Sequence, residues 1–342
     1  MISQVQPAPN VAVVLCTHNG AQWIDEQIQS LLSQTHPVAI RVFDDASTDA
    51  TVALVREYPE IQNIKCVVRS KSLGVVENFS RGIQSVLDEG FTYIALADQD
   101  DIWLPERIET GLAALQEAEE DTPAFSPHLV HSDLAMVNAH NQLIHKSFMQ
   151  WRQYQTKPTN SLATILGQNG VMGNTILMNH HLASLALPFP NNLHVHDYWL
   201  ALVAELLGDR HYIDQALVRY RIHDKNVSNS SNTVTFGPKR WFRGLSFHGL
   251  IQRDFKLPFK EDSRQNAVRL LLKDERFNDL CADDQATITA FLNYLNFQDS
   301  RFKILVSVLN NRFLRPGLRH RLRVYVSILT SQRYESVKQS NH

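Results

Sequence analysis

Cysteine is scarce: Cys16, Cys66 and Cys281 are the only three in 342 residues, none at a metal-type spacing. Cys16 and Cys66 sit inside apolar runs, where a free thiol behaves as a small hydrophobe, and this suits a reducing compartment. There is no basic excess. A formal net charge of −2 argues against nucleic acid as a partner. The opening Met1-Ile2-Ser3-Gln4-Val5-Gln6-Pro7 lacks both the basic and the apolar region of a signal peptide. No stretch approaches the ~18 apolar residues of a membrane span. Gly-x-Gly-x-x-Gly after the first strand and the Gly-x-x-x-x-Gly-Lys-Ser/Thr loop are both missing, so a dinucleotide or ATP phosphate cradle is a weak reading. With 44% apolar and 20% charged residues, the expectation is a globular, cytoplasmic protein.

What is present is alternation. Val11-Ala12-Val13-Val14-Leu15 is an unbroken apolar run, the pattern of a strand covered on both faces, and it ends in Thr17-His18-Asn19-Gly20. Ile24, Ile28, Leu31 and Leu32 follow at helical spacing. A second strand, Ile40 to Phe43, ends in Asp44-Asp45-Ala46-Ser47-Thr48-Asp49, and the short helix through Val52 and Val55 takes Ser47 or Thr48 as its cap. A third, Ile64 to Val68, runs into Arg69 to Gly74; Phe79, Ile83, Val86 and Leu87 mark another helix face. A fourth strand starts at Phe91 to Ile94. This predicts βαβ units on a parallel sheet. Right-handed crossovers bring all four strand ends to one edge, where ligands of open α/β sheets bind.

The fourth strand ends in Asp98-Gln99-Asp100-Asp101. Extended backbone would put Asp98 and Asp100 on one side and Gln99 on the other. Two carboxylates so close repel, and a hard divalent cation offsets that repulsion; a solvated acidic turn is the plainer alternative. Asp44 to Asp49 also reads as a capping turn, and Asn78 and Arg81, one helical turn apart, as a solvated helix face. An acidic helix spans Glu106 to Asp121, and Leu129-Val130 leads to His131, read as a hydrogen-bonded histidine near a strand end. Residues 138–160 read as a long surface excursion. Asp197 stands where an N-cap belongs, before a helix with Leu200, Val203, Leu206 and Leu207 on one side.

Val-Val-Leu-Cys-Thr-His-Asn-Gly, then Phe-Asp-Asp-Ala-Ser-Thr-Asp, then Ala-Asp-Gln-Asp-Asp-Ile-Trp-Leu-Pro, in that order, resemble the family 2 glycosyltransferases over roughly residues 9–230. Thr-His-Asn-Gly and Leu-Ala-Asp-Gln-Asp-Asp-Ile-Trp look most like bacterial rhamnosyltransferases of polysaccharide and O-antigen assembly. The resemblance implies a GT-A fold: an α/β, Rossmann-like, mostly parallel sheet flanked by helices. It implies inverting transfer from a nucleotide-diphospho sugar, dTDP-L-rhamnose or alternatively a UDP-hexose or UDP-N-acetylhexosamine, with Mg2+ or Mn2+. The acceptor would be a saccharide or lipid-linked saccharide. Thr17 and Asn19 would line the nucleotide pocket, and Asp44 or Asp45 would accept from the pyrimidine N3–H. Asn78 and Arg81 would border the nucleotide. Asp98 would meet ribose or metal, Asp100 would be the main metal ligand, and His223, in Tyr220-Arg221-Ile222-His223, a third, with a structural histidine as the alternative. Asp197 would be the base that takes the acceptor proton. Gln99, Asp101, Gly173, Asn174, His196 and Trp199 would face donor sugar or acceptor, although an aromatic at a helix start, as Trp199 is, is more often a core residue.

The resemblance divides the chain into a catalytic domain, residues 1–230, with a nucleotide half at 9–105 and an acceptor half at 106–230. A helical C-terminal extension, 231–342, follows a Ser- and Asn-rich boundary at Asn229 to Asn232. Residues 301–342 carry basic residues interleaved with Ile304, Leu305, Val306, Leu309, Phe313 and Leu314. Such a tail suits an anionic membrane surface, which would make the protein peripheral at the inner face of the membrane, or packing against the catalytic domain. Two rival classes are a non-catalytic nucleotide-sugar or glycan-binding module, which predicts a broken acidic cluster, and a nucleotidyltransferase, which predicts a Gly-rich basic loop after the first strand.

Overall fold

The computed structural model describes residues 10–58, 63–156, 161–224, 263–296, 300–311 and positions 313, 325 and 328. The chain begins β1 (Val11–Thr17), α1 (Ile24–Leu32), β2 (Ala39–Asp44), α2 (Thr51–Arg56), β3 (Ile64–Val68), α3 (Val75–Asp88) and β4 (Tyr93–Asp98). Next come β5 (Ile102–Trp103), α4 (Arg107–Glu120), β6 (His128–Asn138), β7 (Leu143–His145), α5 (Phe148–Arg152) and α6 (Ser161–Gln168). After a 3-10 turn, Gly173–Thr175, follow β8 (Ile176–Asn179), α7 (His180–Ala186), α8 (His196–Leu207) and β9 (Asp209–Ile222). Helices α9 (Ser263–Leu271), α10 (Ala282–Asn296) and α11 (Arg301–Asn311) complete the described elements.

The nine described strands form one sheet in the order β3-β2-β1-β4-β8-β6-β9-β5, with β7 on β6. The first four strands are parallel, as the βαβ pattern predicts. Beyond β4 the expectation of a mostly parallel sheet is corrected. Strand β8 pairs antiparallel to both β4 and β6, and β5 and β9 are also antiparallel; only β6 and β9 restore a parallel pair. The cause is the connection: β8 starts from the 3-10 turn beside the end of β4 and runs back, until His180 N donates to Thr92 O at 2.8 Å.

Alternation along β1 splits the interior into two layers. Ala12, Val14 and Cys16 join a core with α3, α6, α7 and α8, whereas Val11, Val13 and Leu15 join one with α1 and α4. In β4, Ile94 and Leu96 face the first core and Tyr93, Ala95 and Ala97 the second. Asp98 therefore continues the face shared with α8. Gly82 lets α3 lie close, since a Cβ there would stand 2.7 Å from Val14 Cγ1 and 2.9 Å from the Phe43 ring.

Residues 138–156 are not a plain excursion. They hold β7 and α5, and Asp133 anchors the start of α5 by accepting from Phe148 N and Met149 N at 3.1 Å. At His131 the expected hydrogen bond is present, Arg210 Nη1 donating to Nε2 at 3.0 Å. The described part of the C-terminal third shares the first core: Ala267, Val268, Phe291, Ile304, Val308 and Phe313 are buried in it. Between 301 and 313 the chain thus packs on the catalytic layers. The later basic residues of the tail, the boundary at Asn229 to Asn232, and Leu314 lie outside the described residues.

Gly167 in α6 measures this packing, because a Cβ there would lie 1.9 Å from the Phe313 carbonyl oxygen. Gly167→Ala is expected to cost about 1–3 kcal/mol in urea unfolding, the usual range for overpacking. A neutral result would mean that Phe313 is not seated against α6.

Candidate functional site

Four strand ends converge as the topology requires, and the last of them carries the charge. Asp98 ends β4 opposite Cys16 of β1. Burial, then the charges of Asp100 and Asp197, push its carboxyl up to about 7. Asp100 lies under β9, with His223 Nε2 2.8 Å from its Oδ2. So His223, 123 residues further along the chain, is brought to Asp100 beside Asp98.

Arg221 builds that locus. It is fully buried; its Nε donates to Asp100 O at 3.0 Å, its Nη1 to Ala139 O at 2.9 Å, and its Nη2 pairs with Glu26. The guanidinium sits 4.4 Å from the Trp23 ring centroid, and Trp23 also lies 5.4 Å from the His223 ring. Pairing of Ile102 with Arg219 carries β9 past the acidic loop and delivers His223 to it.

Asp101 is turned inward, which corrects the expectation that it meets sugar, whereas half-buried Gln99 is braced on the first loop. The Gln99 amide clamps the first loop, accepting from His18 N at 2.8 Å and donating to His18 O at 3.1 Å. Asp101 is buried, accepting from Arg221 N at 3.2 Å and from the Asn174 amide, so Asn174 too is turned into the interior. Burial, then Asp100 and Asp98, hold the Asp101 carboxyl well above its usual range. Nearby Arg107, whose guanidinium carbon is 3.4 Å from the Trp103 ring centroid, is lowered by burial to about 9.

The second strand end is a lattice of side-chain bonds. Asp44 accepts from Thr17 Oγ1 at 2.8 Å, from Ser47 N at 2.8 Å and from Ser47 Oγ at 2.5 Å, so Thr17 and Asp44 are turned toward each other. Asn19, at φ 50°, accepts from Thr48 N at 2.8 Å while its own N donates to Ser47 Oγ at 2.8 Å. Ser47 and Thr48 therefore tie two loops together and do not cap α2. Asp49 accepts from Thr51 N at 3.0 Å instead. Asp45 accepts from Leu73 N at 2.7 Å, Ser72 Oγ at 2.7 Å and Gly74 N at 2.9 Å. Burial pushes its carboxyl up, but these bonds outweigh it and hold it below the usual range. Oδ1, with one of these bonds, keeps acceptor capacity for a further donor.

Asn78 is buried, donating to Phe43 O at 2.7 Å and accepting from Arg69 Nε at 3.3 Å. Arg81 is on the exposed face of α3, paired with Glu77 at 2.7 Å, which is the solvated-face alternative. Arg69, stacked 5.6 Å from the Phe43 ring, is the cation beside this strand end, and the sequence reading passed over it.

The N-cap of α8 is Val195, without a side-chain cap, and Asp197 lies within the first turn. The capping expectation is thereby corrected. Asp197 Oδ2 accepts from Gly173 N at 3.3 Å, while buried Oδ1 has no hydrogen-bond partner among the described residues. Burial pushes this carboxyl up to about 6, against bonds from Tyr198, Gly173 and Asn169. Asn169 had no signal in the sequence. His196 is buried and stacked on Phe79 at 4.2 Å, which lowers it to about 4 and keeps it neutral. Trp199 is fully buried, its Nε1 donating to Ala186 O at 3.1 Å and its ring edge-on to Phe277. It is core, and the sugar-stacking expectation is withdrawn. Gly173 packs tightly on this histidine, since a Cβ would lie 3.1 Å from His196 Nε2.

Asp100 Oδ2 and His223 Nε2, 2.8 Å apart, are ligand types that a divalent cation takes; Asp98, raised by burial and the Asp100 charge, would have to close on them to complete a set, since the three do not offer ligand atoms all within 4.8 Å of one another. Cis ligands of an octahedral ion with bonds of about 2.0–2.1 Å lie about 2.9 Å apart.

Residues 12–168 match the family described as Glycosyl transferase family 2. The dTDP-rhamnosyl transferase RfbG of Shigella flexneri is 39% identical over 106 residues, 30% of this chain and 36% of that protein. The chain thus spans little more than a third of that relative. Among solved structures, S. aureus TarS 1–349 in complex with UDP-GlcNAc aligns with a TM-score of 0.54 at 16% identity, covering 96% of this chain and 92% of that one. The mannosyltransferase PcManGT of Pyrobaculum calidifontis, in complex with GDP-Man and Mn2+, aligns with a TM-score of 0.52 at 14% identity, covering 96% and 89%. At these identities the likeness shows the fold, and the GT-A expectation stands.

A carboxyl raised from the usual value to about 6 binds its proton more tightly folded than unfolded, so its ionisation weakens the fold as pH rises from about 4 to about 6. Asp197→Asn is expected to be more stable than the parent at pH 7.5, by about 2–3 kcal/mol, and equal to it near pH 4. Equal denaturant midpoints at both pH values would contradict this burial.

Proposed function

The chain carries a Glycosyl transferase family 2 domain, and from that premise we propose that it is an inverting, cation-dependent glycosyltransferase of polysaccharide synthesis. The observation that carries the reading is the nearness of Asp197 to the Asp98–Asp100 pair, close enough that the Asp197 charge raises Asp98. One carboxylate is held apart from the others by an element of its own, the first turn of α8.

Asp98, Asp100 and His223 would hold Mg2+ or Mn2+, whose charge stabilises the departing diphosphate when bound. Asp45 meets the base: Oδ1 has room for one imide N–H, which uracil and thymine carry and cytosine lacks. Thr17, Asn19, Asp44 and Asn78 shape that end of the pocket from behind, each through bonds inside the protein, and Arg81 stays outside it. Asp197 takes the proton of the acceptor hydroxyl as that oxygen attacks the anomeric carbon. Its raised value puts it nearer to the acidity useful in a base at neutral pH. The neutral His196, packed behind Gly173, adds no charge to repel an approaching hydroxyl. With the base on the face opposite the leaving nucleotide, a single displacement inverts the anomeric centre.

The donor we favour is dTDP-L-rhamnose, on the likeness to the Shigella rhamnosyl transferase. A UDP-N-acetylhexosamine is the second reading, favoured by the alignment with TarS. The acceptor is a saccharide hydroxyl, free or lipid-linked. Among the described residues, no helix is long and apolar enough to cross a membrane. Residues 1–230 as the catalytic unit and 231–342 as its extension remain our division by function, although their cores are continuous. A peripheral membrane role rests on the basic composition of residues 301–342.

Two experiments test the reading. Thermal stabilisation by a panel of nucleotide sugars with Mn2+ is expected to be largest for dTDP-L-rhamnose; a larger shift with a UDP-sugar would move the donor to the second reading. Asp197→Asn is expected to keep the parental donor Kd while kcat falls at least ~10³-fold, within what loss of a general base removes. In the parent, kcat should fall tenfold per unit below about pH 6. Turnover by Asp197→Asn within tenfold of the parent would refute the base.

A further inference from the structure

The opposite edge of the sheet carries a second cluster of ligating side chains. Strand β6 runs parallel to β4, because each is antiparallel to β8. Its first residue, His128, therefore lies at the far edge from Asp98. Strand β9 starts beside it in parallel register, His128 opposite Asp209 and Val130 opposite His211. Alternation puts Asp209 and His211 on one face. One ligand atom from each of His128, Asp209 and His211 falls within 4.8 Å of the others, and the two imidazole centroids are 6.0 Å apart.

His128 Nε2 lies 2.8 Å from Thr122 Oγ1, a hydroxyl that also has Ala118 O at 3.1 Å. With Nε2 so engaged, Nδ1 is the nitrogen left over: it is buried, in a residue 0% exposed, and has no hydrogen-bond partner among the described residues. In the tautomer with its hydrogen on Nε2, Nδ1 carries a lone pair, and an unpaired buried nitrogen beside a carboxylate and a second imidazole is costly in a closed core and useful to a metal. Glu119 does not serve it, being engaged by Tyr93 Oη at 2.9 Å and Asn179 Nδ2 at 2.8 Å. The strand starts are held rigidly: Asp209 N donates to Pro127 O at 2.9 Å, and a Cβ on Gly208 would lie 2.2 Å from that oxygen.

We propose that His128 Nδ1, Asp209 and His211 form a second cation site that takes a zinc-class divalent transition metal, with water as fourth ligand. Two imidazoles and one carboxylate match zinc in softness and number, whereas the oxygen-rich Asp98–Asp100 pair matches harder ions. Ligands around tetrahedral zinc stand about 3.3 Å apart given Zn–N bonds of about 2.0–2.1 Å. Side-chain rotation at exposed Asp209 closes the difference. The ion clips together the starts of β6 and β9, and β9 is the strand whose far end leads to His223. The site does not depend on the glycosyltransferase reading.

The test uses the untagged, metal-free full chain in millimolar Mg2+, which occupies the harder site, titrated with zinc against a chromophoric chelator. The parent is expected to hold one zinc equivalent and to melt several degrees higher with it. Asp209→Asn and His211→Ala, both away from the crevice, are each expected to lose that equivalent and the shift while melting like the parent without zinc. No zinc uptake by the parent, or retention of the equivalent in both variants, overturns the site.

Discussion

Four carboxylates, Asp98, Asp100, Asp101 and Asp197, are drawn to one end of a parallel sheet, and the repulsion among them is the constraint that the neighbouring architecture answers. Asp101 is bonded internally, by Arg221 N and the Asn174 amide, yet burial and the charges of Asp100 and Asp98 still hold it well above its usual range. His223 meets Asp100, but Asp98 is left buried against two like charges and is pushed up to about 7. The uncompensated remainder is what a cation and a diphosphate would complete. Charge that costs stability in the free protein becomes affinity when its partner arrives.

Holding the carboxylates in that state requires rigid support. Arg221 grips the Asp100 carbonyl, the 139 carbonyl and Glu26 at once, stacked on Trp23. Gln99 locks the acidic loop to the first strand end through both backbone atoms of His18. Asp45 and Asp44 do the same for the second strand end through the 72–74 loop and Ser47. The loops that follow β1, β2 and β4 are cross-braced by side chains from one another, so that they share one geometry.

The parallel half of the fold was legible because continuous apolar runs alternate with helical stripes, and period alone distinguishes the two. Convergence of Thr17, Asp44, Asp98 and Asp100 at one edge followed from handedness. The antiparallel insertion of β8 was not legible: four buried residues, Ile176 to Asn179, carry no sign of direction. Residue roles were harder still. Arg219 and Arg221 look alike in sequence, yet one is exposed and the other is the most engaged cation of the site. Asp197 read as a cap because an acid before an apolar run has that look, and one residue of helix start at His196 decides otherwise. Trp199, Asp101 and Asn174 had polar or aromatic neighbours in the chain but interior partners in space, which only the register of β9 and the 3-10 turn reveals.

The account stands on the claim that the Asp98–Asp100–His223 locus is built to be completed by a divalent cation together with a nucleotide diphosphate. Calorimetric titration of dTDP into the protein, with Mn2+ and in chelator, measures this directly. Affinity at least ~10-fold higher with Mn2+, a coupling of about 1.4 kcal/mol, is the expected result, and Asp100→Ala should abolish the difference. Equal dTDP affinity with Mn2+ and in chelator would contradict it.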